Sequence, residues 1–217
     1  MNPLHALRDA GTAVVSDVFD DLGRRPPVLH HSIVPLRSGI AFAGPAYTIA
    51  GRSEDFDGGD RPKLQAIDEM PDGCVAVWAG TDIRGVCCFG DLLATSMQAR
   101  GVAGVVVDGG VRDASFLAGM DLPVLARFRT PAQGIGRWKV TEVQEPVRLR
   151  GGIDDEVLVS PGDVVVGDDD GIVVVPRDLV DEVATRAAAW AEGEDEARDA
   201  IADGLPLLAA LERFGHL

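Results

Sequence analysis

The sequence predicts an α/β protein: a partly parallel sheet carrying helices, then antiparallel strands and a C-terminal helix. Three observations predict it. Between Gly73 and Phe128, apolar strands alternate with short helical segments, the rhythm of a parallel sheet with helices packed on it. After Pro131, β-branched runs are separated by turn residues, which favours antiparallel pairing. From Arg177 the chain is Ala-rich and reads as helix.

Each element has its own local reason. "TAVVSDVFDDLG" reads as a short helix that Thr12 caps and Gly23 ends. "GIAFAGPAYTIAG" is extended, with Pro45 marking a bulge or an edge. A polar loop, "SEDFDGGD", leads into a helix starting near Pro62 in "RPKLQAIDEM". "GCVAVWAG" and "RGVCCFG" read as strands, and Asp91 to Arg100 suits a helix through Leu92, Leu93, Met97 and Ala99. "GVVVD" is a short apolar strand of the kind buried on both faces. "ASFLAGM" is a short helix and "LPVLARF" another strand.

"VLVSPGDVVVGDDDGIVVVP" holds two or three strands, turning at "SPGD" and "GDDDG". The run Asp168–Asp169–Asp170 suggests a cation site, but a turn before Gly171 explains it without one. The C-terminal segment, 177–215, reads as one long helix with Gly193 as its weak point. Its stripe of Leu179, Val180, Val183, Ala187 and Trp190 needs a covering surface, from a neighbouring subunit or from the chain's own core. No internal repeat or long linker divides residues 1–217, so a single domain is expected.

Composition bounds the function. At 46% hydrophobic and 25% charged residues, the chain is globular rather than disordered. A formal net charge of −15 argues against nucleic-acid binding, which needs clustered Lys and Arg. It leaves room for anionic small molecules, which a local site reads. Cys74, Cys87 and Cys88 form no C-x-x-C pair and read as buried free thiols. The N-terminus lacks a signal-peptide core, and no run is long enough to span a bilayer. A cytoplasmic protein without membrane partners is the expectation.

Several chemistries lack their motif. There is no G-x-S-x-G nucleophile elbow and no G-x-x-x-x-G-K-[ST] phosphate loop. "GIGRWK" lacks the third glycine of a dinucleotide fingerprint. His5, His30, His31 and His216 make no H-E-x-x-H. Any metal is therefore expected to be a hard, oxygen-bound one.

The stretch "FGDLLATSMQARGVAGVVVDGGVRDASF" concentrates charge around one apolar strand. Gly90 opens a helix whose first N–H groups favour an anion. Arg112 follows the strand beyond two glycines that let the chain turn, and its planar guanidinium suits a carboxylate or enolate. Asp113 and Asp91 offer the one or two carboxylates with which Mg²⁺ is commonly held. Plainer roles exist for each. Asp113 is an acceptable N-cap, Asp91 suits the helix dipole, Arg112 and Asp113 form a surface ion pair, and Asp108 is a turn former.

With these residues quoted, "GDLLATSMQARGVAGVVVDGGVRD" resembles the signature of the class II aldolases acting on 4-hydroxy-4-methyl-2-oxoglutarate. That family also decarboxylates oxaloacetate. It includes the regulator-of-ribonuclease-activity proteins, and members have been labelled demethylmenaquinone methyltransferases. "TAVVSDVFDDLG", "FAGPAYTIAG", "LPVLARFRTP" and "PGDVVVGDDDGIVVVP" resemble family segments in the same order, covering roughly Thr12 to Pro176.

The resemblance implies a three-layer β/β/α sandwich assembled as a homotrimer or homohexamer, with active sites between subunits. It implies that Gly90, Asp91, Leu92 and Leu93 hold the substrate's carboxylate end. Arg112 would bind substrate and stabilise the enolate. Asp113 would ligate Mg²⁺ or Mn²⁺, Asp91 would reach it through water, and Glu194 of the partner subunit would approach it. One departure matters: the better-defined aldolases carry a second acid three residues beyond the aspartate of the pair, and here Phe116 stands there. The implied function is a metal-dependent lyase on a small 2-oxo acid. The alternative is a non-catalytic regulatory protein, which resembles this chain less because such proteins tend to lose the aspartate kept here as Asp113.

Overall fold

The computed structural model describes residues 2–80 and 83–215. Helix α1 (Pro3–Asp21) begins with Asn2, whose side chain accepts the Leu4 N–H, and with a proline in its first turn. It is two helical segments joined at Gly11, whose φ of 83° breaks the spiral. The expected helix from Thr12 is the second segment, and the first is additional to expectation.

The large sheet runs in the order β1 (Val34–Pro35), β6 (Val124–Arg129), β5 (Gly104–Val111), β3 (Val75–Ala79), β2 (Ala41–Ser53), β10 (Val164–Asp168), β11 (Ile172–Val175). Two further strands join it: β4 (Cys87–Phe89) on β5, and β7 (Trp138–Val143) on β2. Strands β2, β3, β5, β6 and β4 pair in parallel. Strands β10 and β11 form the expected antiparallel hairpin. Strands β8 (Val147–Arg150) and β9 (Glu156–Val159) make a separate two-stranded sheet.

Pro45 marks neither a bulge nor an edge; β2 is interior. Its first residues pair with β10 and its later ones with β3. The Ala46 N–H goes to Asp163 O on the β10 side. Pro45's missing donor therefore faces the other side, where pairing with β3 begins only at Ala46. The proline sits at the handover between partners and interrupts no ladder.

Three apolar clusters bury these elements. Helices α2 (Arg61–Asp68), α3 (Asp91–Ala99) and α4 (Ala114–Ala118) cover one sheet face through Ile67, Met97 and Leu117, against Trp78, Val105 and Val107. On the other face, Val147, Leu149, Val157 and Val159 of the small sheet meet Val77, Val106, Leu125, Val165 and Val174. Strands far apart in the order share that cluster because the sheet curls. The third cluster joins α1 to β10, β11 and the long helix α5 (Val180–Ala202).

The C-terminal segment differs from expectation in two ways. It is two helices, α5 and α6 (Leu207–Phe214), separated around Gly204 and Pro206; Gly193 lies inside uninterrupted α5. Leu179, Val183 and Ala187 of the stripe are buried against α1 and the β10–β11 hairpin, so the chain's own core covers them. Among the described residues, no helix is long and apolar enough to cross a membrane.

Candidate active site at the strand ends of β4, β5 and β6

Strands β4 and β5 pair in parallel through Phe89 and Val111, and β5 and β6 through Val111 and Arg129. Their carboxyl ends lie side by side, so the residues leaving them meet: Gly90 and Asp91, Arg112 and Asp113, Thr130 and Pro131. This end of a parallel sheet is where ligands commonly sit.

Gly90 makes the meeting close. A Cβ there would lie 3.0 Å from Asp113 Oδ2 and 3.2 Å from Arg112 Cγ. The start of α3 therefore rests against the arginine–aspartate pair. Gly90 supplies no side-chain cap to α3, and Asp91 Oδ1 accepts the Leu92 N–H at 2.7 Å. Leu92 is exposed at the mouth, and Leu93 packs partly against the core.

Arg112 Nε lies 3.3 Å from Asp113 Oδ2, and both side chains remain 39% exposed. Asp113 stands at the N-cap position of α4, yet its side chain makes no cap bond. The cap role considered for it is overturned: the carboxylate turns to Arg112. Its backbone is left-handed, with φ 58° and ψ 34°, a conformation that side-chain-bearing residues seldom adopt. Aspartate is among the side-chain-bearing residues that adopt it most readily, and Gln144 shares the same φ.

Two clefts flank Arg112. One, of about 250 Å³, is lined by Lys63, Phe89, Leu92, Leu93, Arg112 and Ile135 among others. The second, of about 420 Å³ and more open, lies between the 111–114 and 129–131 segments. Arg112 lines both.

Asp108 departs furthest from expectation. It forms no turn: β5 continues through Gly109 and Gly110 to Val111, so the glycines do not turn the chain before Arg112. Gly110 instead faces the Phe128 ring and the Val86 carbonyl, where a Cβ has no room. The Asp108 carboxylate is fully buried, 3.2 Å from Arg127 Nε and 3.7 Å from Arg150 Nε, and it accepts the Arg150 N–H. Burial lowers the pKa of Arg127, with Asp108 opposing that shift. Through Arg150, Asp108 ties the sheet to the β8–β9 layer, and the Asp108–Arg127 pair lines neither cleft.

The triple acid is a structural turn, as its plainer reading had it. Asp168 accepts both the Thr12 N–H and the Thr12 hydroxyl, and Asp169 accepts the Gly39 and Ile40 N–H groups. Thr12 thus begins its helical segment with a cap borrowed from β10. All three cysteines are free and buried. Burial pushes the Cys74 thiol up to about 11 and the Cys88 thiol up to about 12. His30 Nδ1 is engaged by Ser32, and His216 lies outside the described residues.

Among the described residues, no three His, Cys, Asp or Glu side chains form a metal cage. Asp113 and Asp91 fit the looser arrangement, in which one or two carboxylates share a hard cation with waters and substrate oxygens. Glu194 is on α5, 3.6 Å from Arg198 of its own helix, and α5 packs on α1 and α6.

Two residues of this region were absent from the sequence reading. Lys63 is buried on α2, and its signal was present: it shares a face with Ala66 and Ile67, three and four positions on. Arg129 reaches the open cleft only through the β5–β6 register, which one sequence does not reveal.

A family model described as RraA-like (Aldolase/RraA) matches residues 12–174. The chain belongs to the RraA-like family. The matched span holds every strand-end residue above and leaves out Glu194. A protein of Halalkalibacterium halodurans named "Putative 4-hydroxy-4-methyl-2-oxoglutarate aldolase" is 32% identical, the match covering 97% of this chain and 94% of that protein. Protein DlpA of Legionella pneumophila is 30% identical over 98% of this chain, which spans only 34% of DlpA. Among solved RraA-like structures, Streptomyces coelicolor RraAS2, described as an unusual member of the RNase ES inhibitor RraA family, has a TM-score of 0.78 and 29% identity. It covers 90% of this chain and 96% of its own.

Proposed function

We propose that the chain is a divalent-metal-dependent lyase that cleaves a carbon–carbon bond of a 2-oxo acid to give pyruvate. The reactions in view are retro-aldol cleavage of a 4-hydroxy-4-methyl-2-oxoglutarate-like substrate and decarboxylation of oxaloacetate. The observation that carries the reading is Asp113: a left-handed, uncapped, half-exposed carboxylate beside Arg112 and the start of α3.

In this reading the α3 start, Gly90 to Leu93, receives the substrate carboxylate, and Arg112 binds the neighbouring oxygens. When the bond between C3 and C4 breaks, its electron pair moves toward the 2-oxo group, and the Arg112 guanidinium stabilises the negative charge gathering there. Asp91 receives the proton of the C4 hydroxyl in the retro-aldol case; decarboxylation needs no such base. A later proton at C3 completes pyruvate. Asp113 would hold Mg²⁺ or Mn²⁺, Asp91 would reach the ion through water, and Glu194 of the partner subunit would approach it. Bound there, the cation would supply a Lewis acid to the 2-oxo oxygen.

Assembly as a homotrimer or homohexamer belongs to the same reading. Leu207, Leu208 and Leu211 of α6 are exposed apolar residues suited to a subunit contact. Sedimentation equilibrium at micromolar concentration checks it, with a trimer or a multiple of one expected.

The deciding measurement is pyruvate formation from oxaloacetate against Mg²⁺ or Mn²⁺ concentration, with the metal-ion background subtracted. Asp113→Asn is expected to fold normally, to lose most metal-dependent turnover and to regain part of it in excess metal. A variant that keeps wild-type metal dependence removes Asp113 from the metal site. If wild type shows no activity above background with either metal, the lyase reading fails, and a regulatory role like that described for the RNase ES inhibitor family replaces it.

A further inference from the structure

The smaller cleft is built differently from the strand ends it adjoins. Leu64, Leu92 and Ile135 line it and are all exposed, with Phe89 and Leu93 behind them. Apolar side chains gathered around a concavity, with a few polar groups inside, are the usual make-up of a small-molecule site. Two cationic side chains line this cleft, Arg112 and Lys63, together with the carboxylates of Asp60 and Asp91.

Lys63 is the unexpected one. Its stem is long enough to carry an ammonium from a helix surface to water, yet the residue is only 7% exposed. The ion pair with Asp60 uses at most one of the ammonium's three donors. Nζ lies 3.5 Å from Asp60 Oδ2, well beyond the roughly 2.7–2.9 Å of a strong charge-assisted bond. The Asp60 oxygens are already engaged by two backbone donors, the Lys63 N–H at 3.3 Å and the Val140 N–H at 3.0 Å. The indole of Trp138 lies under the ammonium, 5.1 Å away. An ammonium has three donors, and burying it is costly unless they are used.

We infer that Lys63 is a substrate-binding residue that takes a second carboxylate, at the far end of an acid whose first carboxylate lies at the α3 start and whose 2-oxo group lies at Arg112. The inference rests on the 2-oxo acid reading and deepens it: within the 4-hydroxy-4-methyl-2-oxoglutarate-like substrate, Lys63 takes the distal carboxylate, with the middle of the molecule along Phe89, Leu93 and Ile135. Arg112 anchors the reacting end and Lys63 the distal carboxylate.

Calorimetric titration in Mg²⁺ with three probes tests this. Oxalate tests the Arg112 end alone. 2-Oxoglutarate adds a distal carboxylate, and its 5-methyl ester removes that charge while keeping the chain. Wild type is expected to bind 2-oxoglutarate about tenfold or more tighter than the ester, the weight of one charge-assisted hydrogen bond. Lys63→Met is expected to erase that preference and leave the oxalate affinity within about twofold; Lys63→Arg retains the preference. Equal binding of acid and ester by wild type overturns the inference whether or not Lys63→Met folds, and so does a preference that survives Lys63→Met. Oxalate separates the two levels. If it binds in an Arg112-dependent way while acid and ester bind alike, only the Lys63 assignment is wrong. If wild type does not bind oxalate, the 2-oxo acid reading falls and this inference falls with it.

Discussion

Two arginine–aspartate pairs are attached to β5, and they do opposite things. Asp108 with Arg127 lies inside, the carboxylate 0% and the arginine side chain 12% exposed. Arg112 with Asp113 lies just past the strand's end, both at 39%. The N–O separations are nearly equal, 3.2 and 3.3 Å. Burial, not pairing, separates scaffold from site. The inner pair spends its charges on each other and on the Arg150 backbone, whereas the outer pair borders two clefts.

The sharpest way to break this contrast is Asp108→Ala. Removing one partner of a buried pair leaves Arg127 charged and stranded, so a loss of about 3–5 kcal/mol is expected in denaturant unfolding. A loss below about 1 kcal/mol, the range of exposed pairs, would falsify the division between inner and outer pairs. Arg112→Ala should do the reverse. Its unfolding free energy should move by about 1 kcal/mol or less, while Mg²⁺-dependent pyruvate formation from oxaloacetate falls about 100-fold. Excess metal should not rescue it, unlike Asp113→Asn.

Cys88 probes the burial gradient between the two pairs, its thiol 3.6 Å from the Gly110 carbonyl of β5. Its pKa is raised by burial to about 12, and that of Cys74 to about 11, from 9.0. A raised thiol pKa means that the folded state holds the proton more tightly. Stability from this source is complete below pH 9 and falls as pH rises toward 11 and 12. Tyr47, raised chiefly by burial, adds to the same fall. Melting temperatures across this range should decline less steeply in Cys88→Ala than in wild type. Parallel curves would show that Cys88 does not contribute.

Phe116→Asp carries the smallest expected effect. The side chain is 54% exposed, so stability should stay within about 0.5 kcal/mol. The quantity to follow is kcat/KM for 4-hydroxy-4-methyl-2-oxoglutarate relative to oxaloacetate, which should rise when the acid is restored. An unchanged ratio clears Phe116 of any part in substrate choice.

Much of this was legible before the fold was. The βα rhythm, the "GVVVD" strand and the β10–β11 hairpin follow from local pattern, because parallel core strands are apolar throughout and tight hairpins need turn residues. The meeting of Gly90, Asp91, Arg112 and Asp113 was readable because each follows a strand. Asp108 was misread because Asp-Gly-Gly is a turn signature, and only the close approach of the Phe128 ring and the Val86 carbonyl shows why Gly110 stands within a strand. Pro45 was misread because the handover between β10 and β3 is a property of register. The break between α5 and α6 was missed: one long helix was expected with Gly193 as its weak point, although Gly204 and Pro206 stood nearby as the stronger stop.

The cap that Asp168 gives to Thr12 also has a clock in it. These residues are 156 positions apart, and the same region of the chain, β10 to α5, covers the apolar face of α1. At ribosomal speeds of 5–20 residues per second, α1 emerges roughly ten to thirty seconds before its partners exist. Until then Val14, Val15, Val18 and Phe19, all buried in the finished protein, have only nearby residues such as Val28 and Ala43 to pack against. Helix α1 therefore docks fully only after the chain from β10 to α5 has been made.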